Sequence, residues 1–305
     1  MRLREVKERL FVVVLMLFIV LSSLACSKGG NNVDPDPTEP DGTGVIIATF
    51  NVGYDNPSAT SEKTWENRKD LVANVIKTHK FDVFGAQEPL FNQLEDIEDL
   101  LPNYTYFGRS RTGETNEGEF APIFYNKETV EILESGQFWL TDQEDKTVPT
   151  VGWDARYPRT CVWVKVRHKT SNETFYVFNV HFDHIGAQAR AESTKLIMTE
   201  VPRIAQGYPY FLLGDFNFDQ NGANYHEIQG SSLFVDTYDI AERNINGQRG
   251  TFNSFNVNST STVRIDHIFV NQQNSPTISR HQIITDSFGG HVPSDHFPVM
   301  VEVEF

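Results

Sequence analysis

Six short stretches place acids, amides and histidines where an apolar run begins or ends. Asn51 closes "VIIATFNV", Glu88 closes "FDVFGAQE", His181 and Asp183 close "FYVFNVHFD", and Asp215 and Asn217 follow "YFLLG". Asp266 lies in the opening of "RIDHIFV", and Asp295 and His296 stand in "SDHFP", just before the last apolar run. These are the residue types that phosphate chemistry uses, and they recur at strand termini, where loops collect on a rigid scaffold. Each alone has a plainer reading. Asn51 could form a turn, Asp215 a turn or helix cap, and Glu88 before Pro89 could favour a helix dipole; a lone His181 could be a satisfied surface or core histidine.

The elements that must hold them are mostly strands. Residues 45–52, 81–88, 121–126, 161–168, 175–182, 210–216, 264–270 and 297–305 are rich in β-branched and aromatic residues. Several are apolar on both faces, as strands inside a layered structure are, whereas "CVWVKVRH" and "VMVEVEF" alternate as half-exposed strands do. Helical periodicity falls between them. Leu71, Val72, Val75 and Ile76 share one face, Leu90, Leu94, Ile97 and Leu101 another behind Pro89, and residues 187–204 form a third, weaker helix. Strands often follow strands, so an α/β sandwich of two sheets with outer helices fits better than a doubly wound parallel sheet. In "YFLLGDFNFD" the strand period points Asp215 and Asn217 the same way, with Gly214 allowing a tight backbone turn.

The first 25 residues do not read as fold. Arg2, Arg4, Lys7 and Arg9 precede the apolar run "LFVVVLMLFIVL", the pattern of a secretory signal and shorter than the roughly 20 residues of a spanning helix. The junction "SSLACSKGG" resembles a bacterial lipobox, with Ala25 before Cys26 and Ser23 where the pattern has leucine. That resemblance implies export and a lipid anchor at Cys26 on a bacterial cell membrane, facing the periplasm or the outside; ordinary signal-peptidase cleavage is the alternative. Residues 26–44, rich in Gly, Pro, Asp and Asn, read as a flexible tether, leaving one domain over 45–305.

The domain's one cysteine, Cys161, sits in "TCVWVKV" as a packing thiol. Formal charge is −15, and without residues 1–25, which hold four bases and two acids, 22 bases face 39 acids. Such a balance argues against a wide basic nucleic-acid face but leaves room for a narrow, metal-neutralised phosphate site. No protein partner is evident, and a monomer is expected.

Taken in order, "TFNV", "AQE", "NVHFDH", "GDFN", "IDHIF" and "SDHFPV" resemble the endonuclease/exonuclease/phosphatase superfamily of metal-dependent phosphodiesterases and phosphatases. The resemblance spans essentially 45–305, and its most specific part is the ordered pair "GDFN" and "SDHFPV". It implies a four-layer αββα sandwich, two mixed β-sheets flanked by helices, with the site at one end. It further implies a phosphoesterase that uses Mg2+, or Mn2+ in its place, held by Glu88 with Asn51 and Asp295. By the same resemblance Asp215 orients and deprotonates the attacking water, Asn217 hydrogen-bonds a phosphate oxygen, His296 and His181 contact the phosphate, and Asp266 fixes the His296 tautomer. Arg159, in "GWDARYPRTCVW", stands where exported members carry a substrate arginine, with a structural ion pair as the other reading. Asp183 is either a substrate contact or a strand-end cap, as is His184, and Arg156 ranks below Arg159.

The substrate is a phosphate ester: nucleic acid, phospholipid head group, or sugar or inositol phosphate. Nuclease members have a basic, aromatic-interleaved loop that is not evident here, and "RSRTGETNEG" (109–118) reads as a flexible loop. A non-catalytic surface-binding module on the same sandwich is the rival, and it has no physical need for Glu88, Asp215, Asn217, Asp266, Asp295 and His296 together.

Overall fold

The computed structural model describes residues 44–305. The expected signal segment, Cys26 and all but the last residue of the expected tether lie outside the described residues. Along the chain the elements are β1 (Val45–Asn51), α1 (Trp65–His79), β2 (Val83–Gln87), α2 (Phe91–Leu100), β3 (Tyr104–Phe107), β4 (Ile123–Asn126), β5 (Val130–Trp139), β6 (Thr160–His168), β7 (Thr174–His181) and α3 (Ala187–Ala205). There follow β8 (Tyr210–Asp215), α4 (Ala223–Gln229), β9 (Phe234–Asp236), α5 (Thr237–Ile240), β10 (Asn244–Ile245), β11 (Asp266–Asn271), β12 (Thr277–Ile283) and β13 (Val299–Glu304).

The strands form two mixed sheets, one in the order β10-β12-β13-β1-β2-β4-β3 and the other β5-β6-β7-β8-β11-β9. Near the middle of each lies one parallel pair, β1 with β2 and β7 with β8, flanked by antiparallel neighbours. Strand periodicity sorts the side chains into layers. Val45 and Ile47 of β1 and Phe211 and Leu213 of β8 join the core between the sheets. Their neighbours in sequence turn outward: Ala48 and Phe50 pack under Val72, Val75 and Ile76 of α1 and Leu94 and Ile97 of α2, while Leu212 packs under Ile197 and Val201 of α3. Both faces of the central strands are therefore covered, which is why they read as unbroken apolar runs. The result is the four-layer αββα sandwich, and Cys161 is a buried free thiol in the layer beneath α3.

One reading needs correction. Strand β13 is not half-exposed: it lies between β1 and β12, and Glu302 is buried with its carboxylate 3.1 Å from Arg280. Polar residues within an alternating run had suggested a solvent face, whereas a long arginine from the next strand covers that position. Strands β3, β5, β9, β10 and β12 and helices α4 and α5 carry weaker patterns; β5, "VEILESGQFW", is an edge strand with a register shift between Ile132 and Glu134.

Candidate active site

Four strands, β1 of one sheet and β7, β8 and β11 of the other, send their polar ends to one place. Asn51 has the parity of Val45 and Ile47, His181 that of Phe175 and Val177, Asp215 that of Phe211 and Leu213, and Asp266 that of Ile268 and Val270, all of them inter-sheet core residues. The apolar layer thus ends in acids, an amide and a histidine. Directly beneath lies a buried polar floor of Thr49, Gln87 and Asn179. Gln87 Nε2 donates to Asn179 Oδ1 at 2.7 Å and to Thr49 Oγ1 at 3.0 Å, and Asn179 Nδ2 donates to the carbonyls of Ala86, Ala121 and Pro122. This floor ties β7 of one sheet to β2 of the other immediately below the site. Gly85 makes it possible, since a Cβ there would lie 2.3 Å from Leu213 and 2.5 Å from Asn179.

At the surface of this layer Asn51 Nδ2 donates to Glu88 Oε1 at 3.1 Å and to Asp215 Oδ2 at 3.0 Å, while Asn51 Oδ1 accepts from Gly53 N–H at 3.0 Å. In this orientation the amide bridges two carboxylates; offering its oxygen to a cation would require turning it over and giving up the Gly53 bond. Glu88 is half-buried, sits at φ 72, and accepts at Oε2 from Tyr54 N–H. A glutamate in the left-handed region costs about 1 kcal/mol or more, and here the turn aims the carboxylate away from its strand. His181 Nε2 lies 4.0 Å from Glu88 and 3.7 Å from Asp215. His296 Nε2 lies 3.8 Å from Asp215, and its Nδ1 is 2.9 Å from Asp266 Oδ2.

Asp215 and Asn217 converge for a reason other than the strand period. Strand β8 stops at Asp215; Asn217 sits at φ 51, where its N–H donates to Asp215 Oδ1 and its side chain to the Phe182 carbonyl. Gly214 makes no turn either. It lies within β8 at φ 147, and a Cβ there would come 2.0 Å from the Val180 carbonyl, so glycine permits close approach of β7 and β8.

Burial sets the charges. Asp215 is pushed up to about 7, first by burial and then by the Asp266 charge, against the pull of His296 and the Asn217 N–H. Burial alone would discharge His296, but Asp266, then Asp215 and Asp295, outweigh it and hold the imidazolium well above the usual histidine value. His181 goes the opposite way, held neutral by burial and by the nearby Arg159 and Arg111. One acid with a raised pKa, one cationic histidine and one neutral histidine meet within a few ångströms, a separation of protonation states typical of catalytic sites.

These groups line a cleft of about 600 Å3 with Asp295, Arg159, Arg111, Glu119, His184, Tyr54, Tyr157 and Phe252. Asp295 accepts from Ser294 Oγ at 3.2 Å, and Ser294 Oγ also donates to the Asn51 carbonyl. Arg159 reaches the cleft, whereas Asp183, expected at the substrate, lies beneath it. The Asp183 carboxylate accepts from Arg159 Nε at 3.2 Å and from the Ile185 and Gly186 N–H groups, so it is a strand-end cap that orients the arginine. Arg156 is exposed and stays out of the cleft lining.

Three further contributors were not read from the sequence. Arg111 and Glu119 come from the 109–118 segment and its flank, which is pinned at its base by a bidentate pair at 2.6 and 2.9 Å. Arg68 projects inward from α1 and donates to the carbonyls of Val52 (2.6 Å), Pro293 (2.8 Å) and Gly53 (3.1 Å), stapling the Asn51 turn to the Asp295 loop. The third is the Gln87–Asn179 floor. An amide at the buried parity of "FYVFNVHF" was the available signal for Asn179; nothing local marked Arg68, whose partners lie up to 225 positions away.

One ligand atom from each of Glu88, His181 and Asp215 lies within 4.8 Å of the others, and so do those of Asp215, Asp266 and His296. In the first group it is the half-buried Glu88 carboxylate, on the cleft, that fits a hard divalent cation. A match to the endonuclease/exonuclease/phosphatase family extends over residues 48–296. The chain belongs to the endonuclease/exonuclease/phosphatase family. Among solved structures it is similar to a mannosyl-6-phosphatase of Bacteroides thetaiotaomicron, 36% identical with a TM-score of 0.81, over 86% of this chain and 100% of that one. A functionally unknown conserved protein of Enterococcus faecalis is 32% identical with a TM-score of 0.76, over 85% and 99%. An uncharacterised protein of Acanthamoeba polyphaga mimivirus is 27% identical over 261 residues, 79% of this chain and 92% of that protein. Members of the endonuclease/exonuclease/phosphatase family are metal-dependent phosphoesterases, the class to which the acids and histidines of the cleft are suited.

Proposed function

We propose that the chain hydrolyses a phosphate ester of a sugar by activated-water attack, with Mg2+, or Mn2+ in its place, as cofactor. The observation that carries the chemistry is the meeting of Asp215, raised to about 7, with cationic His296 and neutral His181 beside Glu88. Glu88 would be the principal ligand for the cation, with His181 beside it and Asp295 close by; Asn51 keeps Glu88 and Asp215 apart and aligned, leaving Asp215 free to take a proton. When bound, such a cation would supply charge neutralisation to the phosphate ester. Asp215 takes one proton from the attacking water as the new P–O bond forms and the bond to the sugar oxygen breaks, and the leaving oxygen is protonated from solvent. His296 and Asn217 hydrogen-bond the phosphoryl oxygens as charge builds, and Asp266 keeps His296 charged and oriented.

The substrate class rests on the walls. An acidic protein with a cleft of about 600 Å3 suits the end of a small molecule better than a polyanionic strand. Exposed Tyr54, Tyr157 and Phe252 beside His184 offer ring faces and a polar group to a hydroxylated ring. The activity named for the Bacteroides thetaiotaomicron relative supports the same class. A panel of sugar phosphates, p-nitrophenyl phosphate, DNA, RNA and sphingomyelin, each with Mg2+ and with EDTA, tests this. EDTA-sensitive release from sugar phosphates is expected, and no EDTA-sensitive turnover on any of them would sink the hydrolase reading.

Export and anchoring complete the proposal: a monomer tethered through Cys26 to a bacterial membrane would meet such substrates in the periplasm or outside the cell. Labelling with a radioactive fatty acid, lost in Cys26→Ser, checks the anchor.

A further inference from the structure

The cleft ends differently on its two sides. Toward Tyr54 and Phe252, both exposed, it is open to solvent. Toward Arg111 and Arg159 it narrows to a recess of about 10 Å3 bounded by Arg111, Glu119, Phe120, Pro158, Arg159 and His181. A space of that size takes one water or one oxygen atom; a carbon substituent does not fit.

The recess is held rigidly. Both Arg111 terminal nitrogens are on Glu119, its guanidinium packs 4.4 Å from the Tyr157 ring centre, and its carbonyl accepts from Trp139 Nε1 at 2.7 Å. Phe120 is buried. Arg159 is buried as well, with Nε on Asp183 and one terminal nitrogen 3.1 Å from His184 Nδ1, yet its other terminal nitrogen, NH1, has no partner in the protein. Buried donors left unsatisfied cost about 1–3 kcal/mol, and an anionic oxygen in the recess would satisfy this one. A phosphomonoester has three peripheral oxygens and, with a second pKa of about 6, close to two negative charges at neutral pH. A diester has two peripheral oxygens, one charge and a second carbon substituent.

We propose that the site is built for terminal phosphoryl groups: the recess receives one peripheral oxygen of a phosphomonoester against Arg159, and the pinned Arg111–Glu119 pair shuts out the second alcohol of a diester. The inference rests on the phosphoesterase reading of this same site and names its substrate class more closely. It makes Arg159 a residue that touches the substrate, and Arg111 and Glu119 specificity-determining residues.

The test uses the full chain with Mg2+ and two probes that differ by one methyl group, p-nitrophenyl phosphate and methyl p-nitrophenyl phosphate. The wild type should favour the monoester by at least about a hundredfold in kcat/KM. Arg159→Met should lower the monoester value about a hundredfold and the diester value less than about fivefold, with Arg159→Lys in between. The charge-balanced double variant Arg111→Ala/Glu119→Ala should raise the diester-to-monoester ratio about tenfold or more, a change that mere loss of stability would not produce. A wild type that prefers the methyl ester, or a ratio that none of these variants moves, overturns the proposal. Calorimetric titration with orthophosphate separates it from the reading on which it rests. Turnover of neither ester, with phosphate binding that Arg159→Met abolishes, would sink the hydrolase and support the recess; turnover with no Arg159-dependent phosphate binding would overturn the recess alone.

Discussion

Replacing Asp266 by asparagine should shift the pH dependence of the reaction, not merely slow it. Asp266 Oδ2 is 2.9 Å from His296 Nδ1 with both residues buried. Burial opposes the imidazolium, and Asp266 contributes most to overcoming it. A hydrogen bond to a charged group contributes about 1.5–3 kcal/mol, which at about 1.4 kcal/mol per unit is one to two pKa units. The same charge is the second cause, after burial, of the raised Asp215 value. Asp266→Asn therefore lowers both pKa values, so the acid limb, where Asp215 must be ionised, and the alkaline limb, where His296 must be protonated, move together toward acid. At an alkaline pH where the variant's His296 has discharged and the wild type's has not, kcat should fall by up to roughly ten- to a hundredfold, one decade of rate for each pKa unit lost. Stability carries the same sign. A histidine whose folded pKa is raised contributes fully below its ordinary value of about 6.5 and loses that contribution as pH rises through the folded value. Urea unfolding should thus show the variant less stable by about 2 kcal/mol near pH 6, with a smaller gap where wild-type His296 has itself discharged. The assay is kcat against pH at saturating Mg2+. A lower plateau with both limbs unmoved would refute the reasoning, because it would leave Asp266 as packing alone.

Other substitutions probe other levels. Gly214→Ala sets a Cβ 2.0 Å from the Val180 carbonyl at φ 147 and should cost about 3 kcal/mol or more, lowering Tm by roughly 6–12 °C for a domain of this size. Glu88→Gln should weaken Mg2+ binding at least about tenfold by calorimetry, while EDTA should lower the wild-type Tm and added Mg2+ restore it. Arg68→Met should lower both Tm and Mg2+ affinity by releasing the carbonyls of Val52, Gly53 and Pro293, and Arg68→Lys should recover part of each. His281 is pushed down to about 4, chiefly by burial. Its contribution is full above about pH 6.5 and is lost as pH falls toward its folded value, up to about 3 kcal/mol, a loss that denaturant titrations at several pH values would show flattened in His281→Asn.

The catalytic candidates were legible because a strand buried on both faces has no reason to carry an acid or amide at its inward parity unless a site lies there. Asn51, His181, Asp215 and Asp266 all betray themselves in this way. Glu88 and Asn217 do so less directly, since both reach the cleft through left-handed turns that leave no pattern in an apolar run. Arg111, Glu119 and Arg68 were hidden for a different reason. A charged residue on a loop or helix is ordinarily solvated, and only their contacts in the folded chain reveal that these three are not. Strand β12, "TISRHQI", was obscured in turn because its polar residues meet Glu302 and the Arg243 backbone rather than water.

The position of β13 gives the order of synthesis a role in when this protein becomes competent. Residues 299–304 are translated after every other described strand, yet they fill the gap between β1 and β12. The loop that feeds them carries Ser294, Asp295 and His296. Without those residues β1 lacks a neighbour on one side and Asp266 lacks its histidine, so the site cannot be finished before the last strand is made. Folding with such long-range closure is slow. Completion of the site thus waits on this last strand, and recovery of turnover after denaturation should coincide with its insertion, later than recovery of bulk secondary structure.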